Sequence, residues 1–220
     1  MDIIRIDRDD PRFPVALIYY LGQEAPVSLS ALGNLELLGS KKLALFCSVK
    51  CPGNMILQAY DFARSFIVKD NWAGQAAVGG FHSPIEKECL RLLLQGRQPI
   101  IMCPARSVEG MRLSKELNKA LTEERLLILS PFDEAQQRAT VETALVRNRL
   151  VAALAERIFV AYAEPQGKTE QFCREVMAWG KPLYTLDDDA NRNLLALGAK
   201  PIGNQGLDKC LDTSYNPSEE

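Results

Sequence analysis

Short apolar runs alternate with helix-like segments from residue 41 onward, and this alternation restricts the possible folds more than any other feature. The apolar runs predict strands over residues 43–47, 75–78, 99–103, 126–129, 157–163 and 182–186. The segments between them predict helices over residues 54–68, 84–94, 112–121, 136–154 and 170–179. Strands joined by helical crossovers pair in parallel. We therefore expect an α/β fold, a Rossmann-like doubly wound, mostly parallel sheet with helices on both faces.

The two ends of the chain differ from this central pattern. After Pro26, the segment "VSLSALGNLELLGSKK" is helix-like, with turn signals at Gly33-Asn34 and Gly39-Ser40. Residues 1–40 are therefore expected to form a short helical N-terminal appendage, and residues 41–203 the Rossmann-like domain. The tail, residues 204–220, is polar and lacks periodicity, so we expect it to be mobile.

Composition excludes several classes of function. With 220 residues, a net charge of −2 and a pI near 5.6, the chain lacks the overall basic charge of many nucleic-acid-binding proteins, so any such site must be a local patch. The six cysteines include no C-x-x-C pair, which supports neither a zinc site nor a disulfide framework. The charged N-terminus and the charges at Glu156 and Arg157 within the longest apolar stretch predict a cytoplasmic protein without a membrane segment.

The stretch "VAYAEPQGKTEQF" ends its loop in Gly167-Lys168-Thr169, the closing letters of a Walker phosphate-binding loop. The first glycine of that motif would fall at Tyr162, whose side chain is too large for the tight turn, so the ATPase interpretation fails. The remaining pattern is a strand, a short loop and a helix with Thr169 as its N-cap, which is a possible anion site. The alternative is an ordinary loop in which Lys168 points at solvent.

Four loops that follow predicted strands converge on one edge of a doubly wound sheet, where such folds bind ligands. Their glycines, hydroxyls and positive charges suit a DNA or nucleotide phosphate. On one helix, Arg147 and Arg149 project about 200° apart, so at most one of them is a primary contact to a given phosphate; the alternative is a solvated helix face. The candidate phosphate-binding residues are Ser48, Lys50, Gly53, Gly79, Gly80, Phe81, His82, Arg147, Asn148, Arg149, Gly167, Lys168 and Thr169.

Catalytic and metal-binding candidates are weaker. His82 is the only histidine, and it lacks an acid or nucleophile near it in sequence; Glu86 and Glu88 are interpreted as a solvated helix face. The consecutive acids Asp187-Asp188-Asp189 lack the spacing of a calcium loop and are interpreted as a helix-capping turn. We therefore predict no catalytic residue, no metal and no cofactor.

The order of these loops resembles the DNA processing protein A (DprA, or Smf) family, within the superfamily that also contains the LOG nucleotide hydrolases. The similarity covers residues 9–203. "DPRFPVAL" resembles the family's D-x-x-Y-P-x-x-L, and "APVSLSALGNLELL" its segment with G-N-x-x-L-L. "LVRNRLVAALAERIFVAYAEPQGKTEQF" is similar to P-R-R-N-R-I-I-A-G-L-S, a strand, and then S-G-[ST]-x-x-T. "CSVKCPGN" occupies the place of G-S-R-x-x-[TS]-x-Y-G, with Cys47 at the glycine and Val49 at the arginine, followed by Lys50.

The resemblance implies a non-enzymatic homodimer that binds single-stranded DNA and helps load a RecA-type recombinase. Lys50, Arg147, Arg149 and Lys168 are then the phosphate contacts, with Lys50 as a candidate substitute for the family arginine. An alternative is a LOG-like protein that binds or hydrolyses a mononucleotide in the same pocket, although "EPQGKTEQF" lacks the P-G-G-x-G-T-x-x-E signature. A third possibility is a scaffold that has kept the fold and lost the ligand.

Overall fold

The computed structural model describes residues 2–68 and 74–202. The tail for which the sequence predicts mobility, residues 204–220, lies outside the described residues. Within them, the strands are β1 (Ile4–Asp7), β2 (Ser28–Gly33), β3 (Lys41–Phe46), β4 (Gln75–Gly79), β5 (Ile100–Met102), β6 (Leu126–Ser130), β7 (Arg157–Val160), β8 (Leu183–Leu186) and β9 (Lys200–Ile202). The α-helices are α1 (Val15–Leu21), α2 (Gly53–Val68), α3 (Pro84–Leu93), α4 (Lys115–Thr122), α5 (Val141–Leu154), α6 (Lys168–Ala178) and α7 (Arg192–Ala196).

The nine strands found in the described ranges form one sheet in the order β1-β2-β6-β5-β4-β3-β7-β8-β9. Strands β3 to β9 run parallel, and β1 and β2 join antiparallel at the β6 side. The chain lays β4, β5 and β6 on one side of β3, then returns through α5 to place β7 on the other side. This reversal between β3 and β7 is a topological switch point, where open α/β sheets bind ligands beyond the strands' carboxyl ends.

Helices cover both faces of the sheet because successive strand residues point to opposite sides. In β3, Ala44 and Phe46 belong to a core formed with α1, α5, α6 and α7, whereas Leu43 and Leu45 belong to a second core formed with α2, α3 and α4. The predicted Rossmann-like α/β class is confirmed. In the part of the chain described, no helix is both long and apolar enough to span a bilayer.

Most predicted elements of the central region are present with shifted ends. The helix predicted over residues 136–154 begins at Val141, because Thr140 caps it by accepting a hydrogen bond from the Thr143 backbone N–H. The strand predicted over residues 157–163 ends at Val160. The residues that follow, Ala161 to Ala163, are buried, and the Ala161 N–H and the Tyr162 carbonyl still form backbone hydrogen bonds with Phe46 and Ser48.

The helix-like interpretation of "VSLSALGNLELLGSKK" is wrong for its first half. Residues 28–33 form strand β2, paired with both β1 and β6, and only Leu35–Gly39 is helical, as a 3-10 helix. Gly33 makes the change of direction, with φ of +112°. Asn34 then caps the 3-10 helix by accepting from the Glu36 N–H, and its amide donates to the Glu124 carbonyl. The apolar spacing fits either element, and the pairing with β6 decides it.

We expect Gly33→Ala to lower the free energy of unfolding by about 2 kcal/mol or more. A Cβ at this position would lie 2.2 Å from the carbonyl oxygen of Leu126, in a backbone conformation that L-residues rarely adopt. Urea unfolding followed by circular dichroism measures the loss. Gly39→Ala is the matched control, since a Cβ there meets nothing within 4 Å and φ is not positive. Equal stability of the two variants would contradict the account of Gly33.

Candidate functional site

A cleft of about 870 Å³ lies at the switch point, beyond the carboxyl ends of β3 and β4 and against α5 and the start of α6. Its position is the one expected for a ligand site in a doubly wound sheet. Of the candidate residues from the sequence, six line it: His82, Arg147, Asn148, Arg149, Lys168 and Thr169.

Glu86, the third residue of α3, joins the loops after β3 and β4 beneath this cleft. One carboxylate oxygen accepts the Cys47 N–H at 3.0 Å, and the other accepts the N–H groups of His82 at 2.8 Å and Ser83 at 3.3 Å. Ser83 completes a capping box by accepting the Glu86 N–H. Glu86 is 7% exposed, so its interpretation as a solvated helix face is wrong. The S-x-x-E spacing from Ser83 to Glu86 is the sequence signal that identifies this role.

Arg147 lies in the floor of the cleft with 4% of its surface exposed. Its Nε donates to the Asn148 side-chain oxygen at 2.8 Å, and Nη1 donates to the Cys103 carbonyl at 3.3 Å. The guanidinium packs on Gly80, where a Cβ would fall 1.5 Å from Nη1. Burial lowers the pKa of Arg147 from its ordinary value, and the nearby Glu86 charge partly offsets this. Among the described residues, no carboxylate forms an ion pair with Arg147.

Arg149 differs from Arg147 in that its charge is already compensated. Its guanidinium forms ion pairs with Glu24 at 2.9 Å and with Glu175 of α6 at 2.7 Å. The expectation that the two arginines point in different directions therefore agrees with their different partners. Arg149 ties α5 to α6 and to the N-terminal region, although it also contributes to the cleft wall.

A second buried glutamate, Glu170, fixes the loop between β7 and α6. Its carboxylate accepts from the Gln166 N–H at 3.0 Å, from Arg174 at 2.7 Å and from the Asn193 amide at 2.7 Å. The same Asn193 amide donates to the Ala163 carbonyl at 3.1 Å. Hydrogen bonds from Asn193, Arg174 and the Gln166 backbone lower the pKa of Glu170, outweighing its burial. Periodicity and spacing assign no role to Asn193, because its partners lie 30 and 23 residues away in the chain.

The helix that begins at the cleft starts two residues earlier than predicted. Gly167, not Thr169, is the N-cap of α6, and no side chain caps this end. Gly167 sits where a Cβ would approach the Glu164 carbonyl oxygen to 2.9 Å, which explains the small residue. Lys168 is exposed at the first helical position, and Thr169 follows it half-buried. Both side chains face the cleft.

The remaining candidates support the site or lie outside the cleft. Ser48 is buried, and its hydroxyl accepts the Glu164 N–H at 3.0 Å, so it joins the loops after β3 and β7. Phe81 is buried in the second core with φ of +47°. Gly79, at the end of β4, lies against the Phe81 ring. Lys50 is exposed and Gly53 opens α2, and neither lines the cleft.

The acidic turn at residues 187–189 acts as a cap, as predicted. Asp188 accepts from the Ala190 N–H at the start of a 3-10 helix, and also from the side chains of Asn54 and Gln58 in α2. Within residues 2–68 and 74–202, no three metal-ligating side chains are grouped as a metal site requires.

Comparison with known proteins places this geometry in a family. The family described as DNA recombination-mediator protein A matches residues 5–211 of the sequence. The chain belongs to that family. A comparison with curated proteins found no match.

Solved structures agree with this membership at the level of the fold. DNA processing protein A (DprA) from Streptococcus pneumoniae has a TM-score of 0.77 and 20% identity, with 98% of this chain and 76% of that chain covered. DprA from Helicobacter pylori, described as having a unique single-stranded DNA binding mode, has a TM-score of 0.73 and 19% identity, with 96% and 94% covered. A molybdenum cofactor binding protein from Rippkaea orientalis is more distant, with a TM-score of 0.51 and 10% identity, and coverage of 78% and 93%.

In this DprA-family chain, we expect Glu86→Gln to lower the free energy of unfolding by about 2 kcal/mol, because an amide cannot accept all three backbone N–H groups. Chemical unfolding measures the change. Glu88→Gln is the control on the same helix, because Glu88 forms only an exposed ion pair with Arg91 and its loss should cost under about 0.5 kcal/mol. A loss no larger for Glu86 than for Glu88 would refute its role in joining the loops.

Glu170 predicts a specific acid sensitivity. Because its folded-state pKa lies below the ordinary value of 4.5, the carboxylate stabilises the fold above about pH 4.5, and this contribution is lost as the pH falls through the folded-state value. Glu170→Gln should therefore be less stable than the parent at pH 7, and the difference should shrink below pH 4.5. Thermal melts from pH 7 to pH 3 measure it, with Glu164→Gln, an exposed acid of the same loop, as the control. A difference independent of pH would contradict this assignment.

Proposed function

We propose that this chain binds single-stranded DNA in the cleft at the switch point, with Arg147 as the central phosphate contact. The observation that carries the proposal is the buried Arg147 guanidinium, which lies in the cleft floor without an ion pair among the described residues. A buried guanidinium without a direct ion pair is costly, even with the Glu86 charge nearby. A phosphate would supply a direct ion pair, and two of its oxygens could accept two parallel hydrogen bonds from the planar guanidinium.

The start of α6 supports the same ligand chemistry. Its first N–H groups point out of an end that no side chain caps, and Lys168 adds a positive charge on the cleft wall. A helix N-terminus favours anions through its backbone N–H groups and its dipole. We assign Lys168 a phosphate contact beside that of Arg147, and we assign exposed Lys50 an outer contact to a strand that leaves the cleft. Arg149, paired with Glu24 and Glu175, is assigned a structural role.

The rim of the cleft suits the bases of such a strand. Three of its side chains are apolar and exposed: Val49 at 67%, Val141 at 60% and Leu145 at 41%. Exposed apolar side chains next to positive charge match a ligand that has flat apolar faces and a charged backbone, as a single strand has. The mildly acidic net charge confines binding to this local patch.

Family membership supports a DNA-processing role, and single-stranded DNA is the ligand named for the Helicobacter pylori protein. From the resemblance we further propose a non-enzymatic, cytoplasmic homodimer that assists a RecA-type recombinase in recombination or DNA uptake. These parts rest on the family alone.

A mononucleotide is the second candidate ligand, because a cleft of about 870 Å³ has the size of a small-molecule site. Hydrolysis by a LOG-like mechanism has less support than binding. Glu170, the glutamate next to the phosphate-binding loop, is 5% exposed and uses both oxygens to hold Gln166, Arg174 and Asn193. Both oxygens of Glu170 are therefore used to position the loop, which leaves neither free to act on a substrate.

Fluorescence anisotropy with a labelled oligothymidylate at two salt concentrations tests the proposal. We expect affinity to fall steeply with salt, and Arg147→Ala to weaken binding about 10- to 100-fold through loss of a charged hydrogen bond. Lys168→Ala should flatten the plot of log affinity against log salt by about 0.7, the value for one phosphate contact on a single strand.

Lys119→Ala is the control, because Lys119 is exposed in the last turn of α4, away from the edge where the helices begin. Arg147→Lys keeps the positive charge but loses the planar guanidinium that can donate two parallel hydrogen bonds. This variant should bind with intermediate affinity, provided its circular dichroism spectrum matches that of the parent. Salt-independent binding, or equal losses for Lys119 and Lys168, would refute the proposal. Displacement of the strand by equimolar thymidine monophosphate would favour the mononucleotide site.

A further inference from the structure

The negative charge of the chain is concentrated in residues 204–220, a segment that we call the acidic tail. Four of the 28 acidic residues and one of the 26 basic residues lie there, so the acidic tail has a formal charge of −3 and residues 1–203 have +1. The four acids are Asp208, Asp212, Glu219 and Glu220. The part of the chain that forms the cleft is therefore slightly basic, and an acidic segment is tethered to it.

The acidic tail follows the edge of the sheet that carries the cleft. Strands β7, β8 and β9 run parallel to β3, so Ile202, at the end of β9, lies at the carboxyl ends of the strands. The Asp187 N–H donates to the Ile202 carbonyl at 3.1 Å, which fixes this point. Three strand spacings separate β9 from β3, a distance of about 14 Å.

The first two acids of the tail are within reach of the cleft. Asp208 and Asp212 follow Ile202 by six and ten residues, which permits spans of up to about 20 Å and about 33 Å in an extended chain. The acidic turn at residues 187–189 flanks the point of departure, so like-charge repulsion disfavours a path along that turn. The cleft offers positive charge at the same edge of the sheet.

The acidic tail has the same two chemical features that we assign to a DNA ligand. The apolar side chains of Leu207, Leu211 and Tyr215 are interspersed with its acids, as bases accompany phosphates in a single strand. A carboxylate, like a phosphate, accepts two parallel hydrogen bonds from a guanidinium. In the cleft, the buried Arg147 guanidinium has no direct ion pair among the described residues, and the rim is exposed and apolar.

We propose that the acidic tail docks in the cleft of its own molecule, with a carboxylate of Asp208 or Asp212 at Arg147 and Lys168, and that it competes there with single-stranded DNA. The competition rests on the proposed function, whereas the docking does not. At an effective concentration of about 1 mM, which is usual for a short tether, a tail contact with a Kd of about 0.25 mM weakens DNA binding about fivefold. A weak contact is therefore sufficient for regulation.

Zero-length cross-linking of the full chain tests the docking without any DNA. A water-soluble carbodiimide joins a carboxylate to a lysine amine when the two groups are in contact, and mass spectrometry of the digest identifies the pair. We expect Lys168 to be joined to an acid of the tail at low salt, and the product to disappear at high salt. Lys168→Arg keeps the charge but removes the amine, so it should abolish the product.

Lys119, exposed in α4 away from this edge, is the control for chance contacts. Cross-linking of the tail to Lys168 no more often than to Lys119 would overturn the docking. An equal mixture of isotope-labelled and unlabelled protein shows which molecule supplies the tail. Linked peptides that each carry a single type of label support docking within one molecule. Pairs of mixed label would place the tail in the cleft of a second copy and overturn this assignment.

DNA binding by full-length variants tests the competition. Asp208→Asn combined with Asp212→Asn should raise the affinity for a labelled oligothymidylate about fivefold at low salt. Leu207→Ser combined with Leu211→Ser changes no charge and should also raise the affinity. The matched control is Glu123→Gln combined with Glu124→Gln, which removes two exposed negative charges between α4 and β6, at the opposite edge of the sheet. The control should bind DNA as the parent does.

The outcomes separate the docking from the proposed function. Equal gains for the tail variant and the control would mean that only the overall charge matters, and would refute the competition. A cross-link to Lys168 with no gain in DNA affinity from the tail variants would refute it as well. A cross-link in a protein whose parent and tail variants all fail to bind DNA would leave the docking standing and refute only the proposed function.

Discussion

The arrangement of the cleft depends on one carboxylate. Glu86 accepts backbone N–H groups from two loops that follow neighbouring strands, and it does so from the third position of the helix that starts there. Buried backbone donors need partners, and a loop has no ladder to supply them. A charged acceptor shared between two loops satisfies these donors and sets the separation of the loops at the same time. The floor that carries Arg147 is built on this arrangement.

Glu170 has the same structural role as Glu86 on the other side of the switch point. It is also the third residue of its helix and also reaches back to a loop N–H, here that of Gln166, while Arg174 and Asn193 compensate its charge. The two glutamates therefore hold opposite sides of the cleft. Between them, Arg147 is buried without a direct ion pair to any carboxylate of the described residues. The two loops are thus held by charged hydrogen bonds within the protein. The Arg147 guanidinium, where we place the ligand, has no direct ion pair among the described residues.

Periodicity was sufficient to predict the class of fold and the edge of the sheet that carries the cleft. It failed for β2, because a six-residue apolar alternation cannot reveal that its partner strand is β6. It brought Lys168 and Arg147 to the edge of the sheet where both line the cleft, since their positions follow from chain order around the switch point. It could not distinguish paired Arg149 from unpaired Arg147, or find Asn193, because those differences depend on contacts between distant segments. The role of Glu86 could have been predicted from the sequence, because the S-x-x-E spacing of its capping box is a local pattern.

The position of β2 has a consequence for synthesis. Ser30 lies opposite Ser130, so a strand made early must wait for a partner translated about a hundred residues later. At ribosomal rates of about 5–20 residues per second, the wait lasts on the order of five to twenty seconds. During that interval the nascent chain exposes a strand with unpaired N–H and C=O groups. The N-terminal strands therefore keep one open edge until β6 has been made.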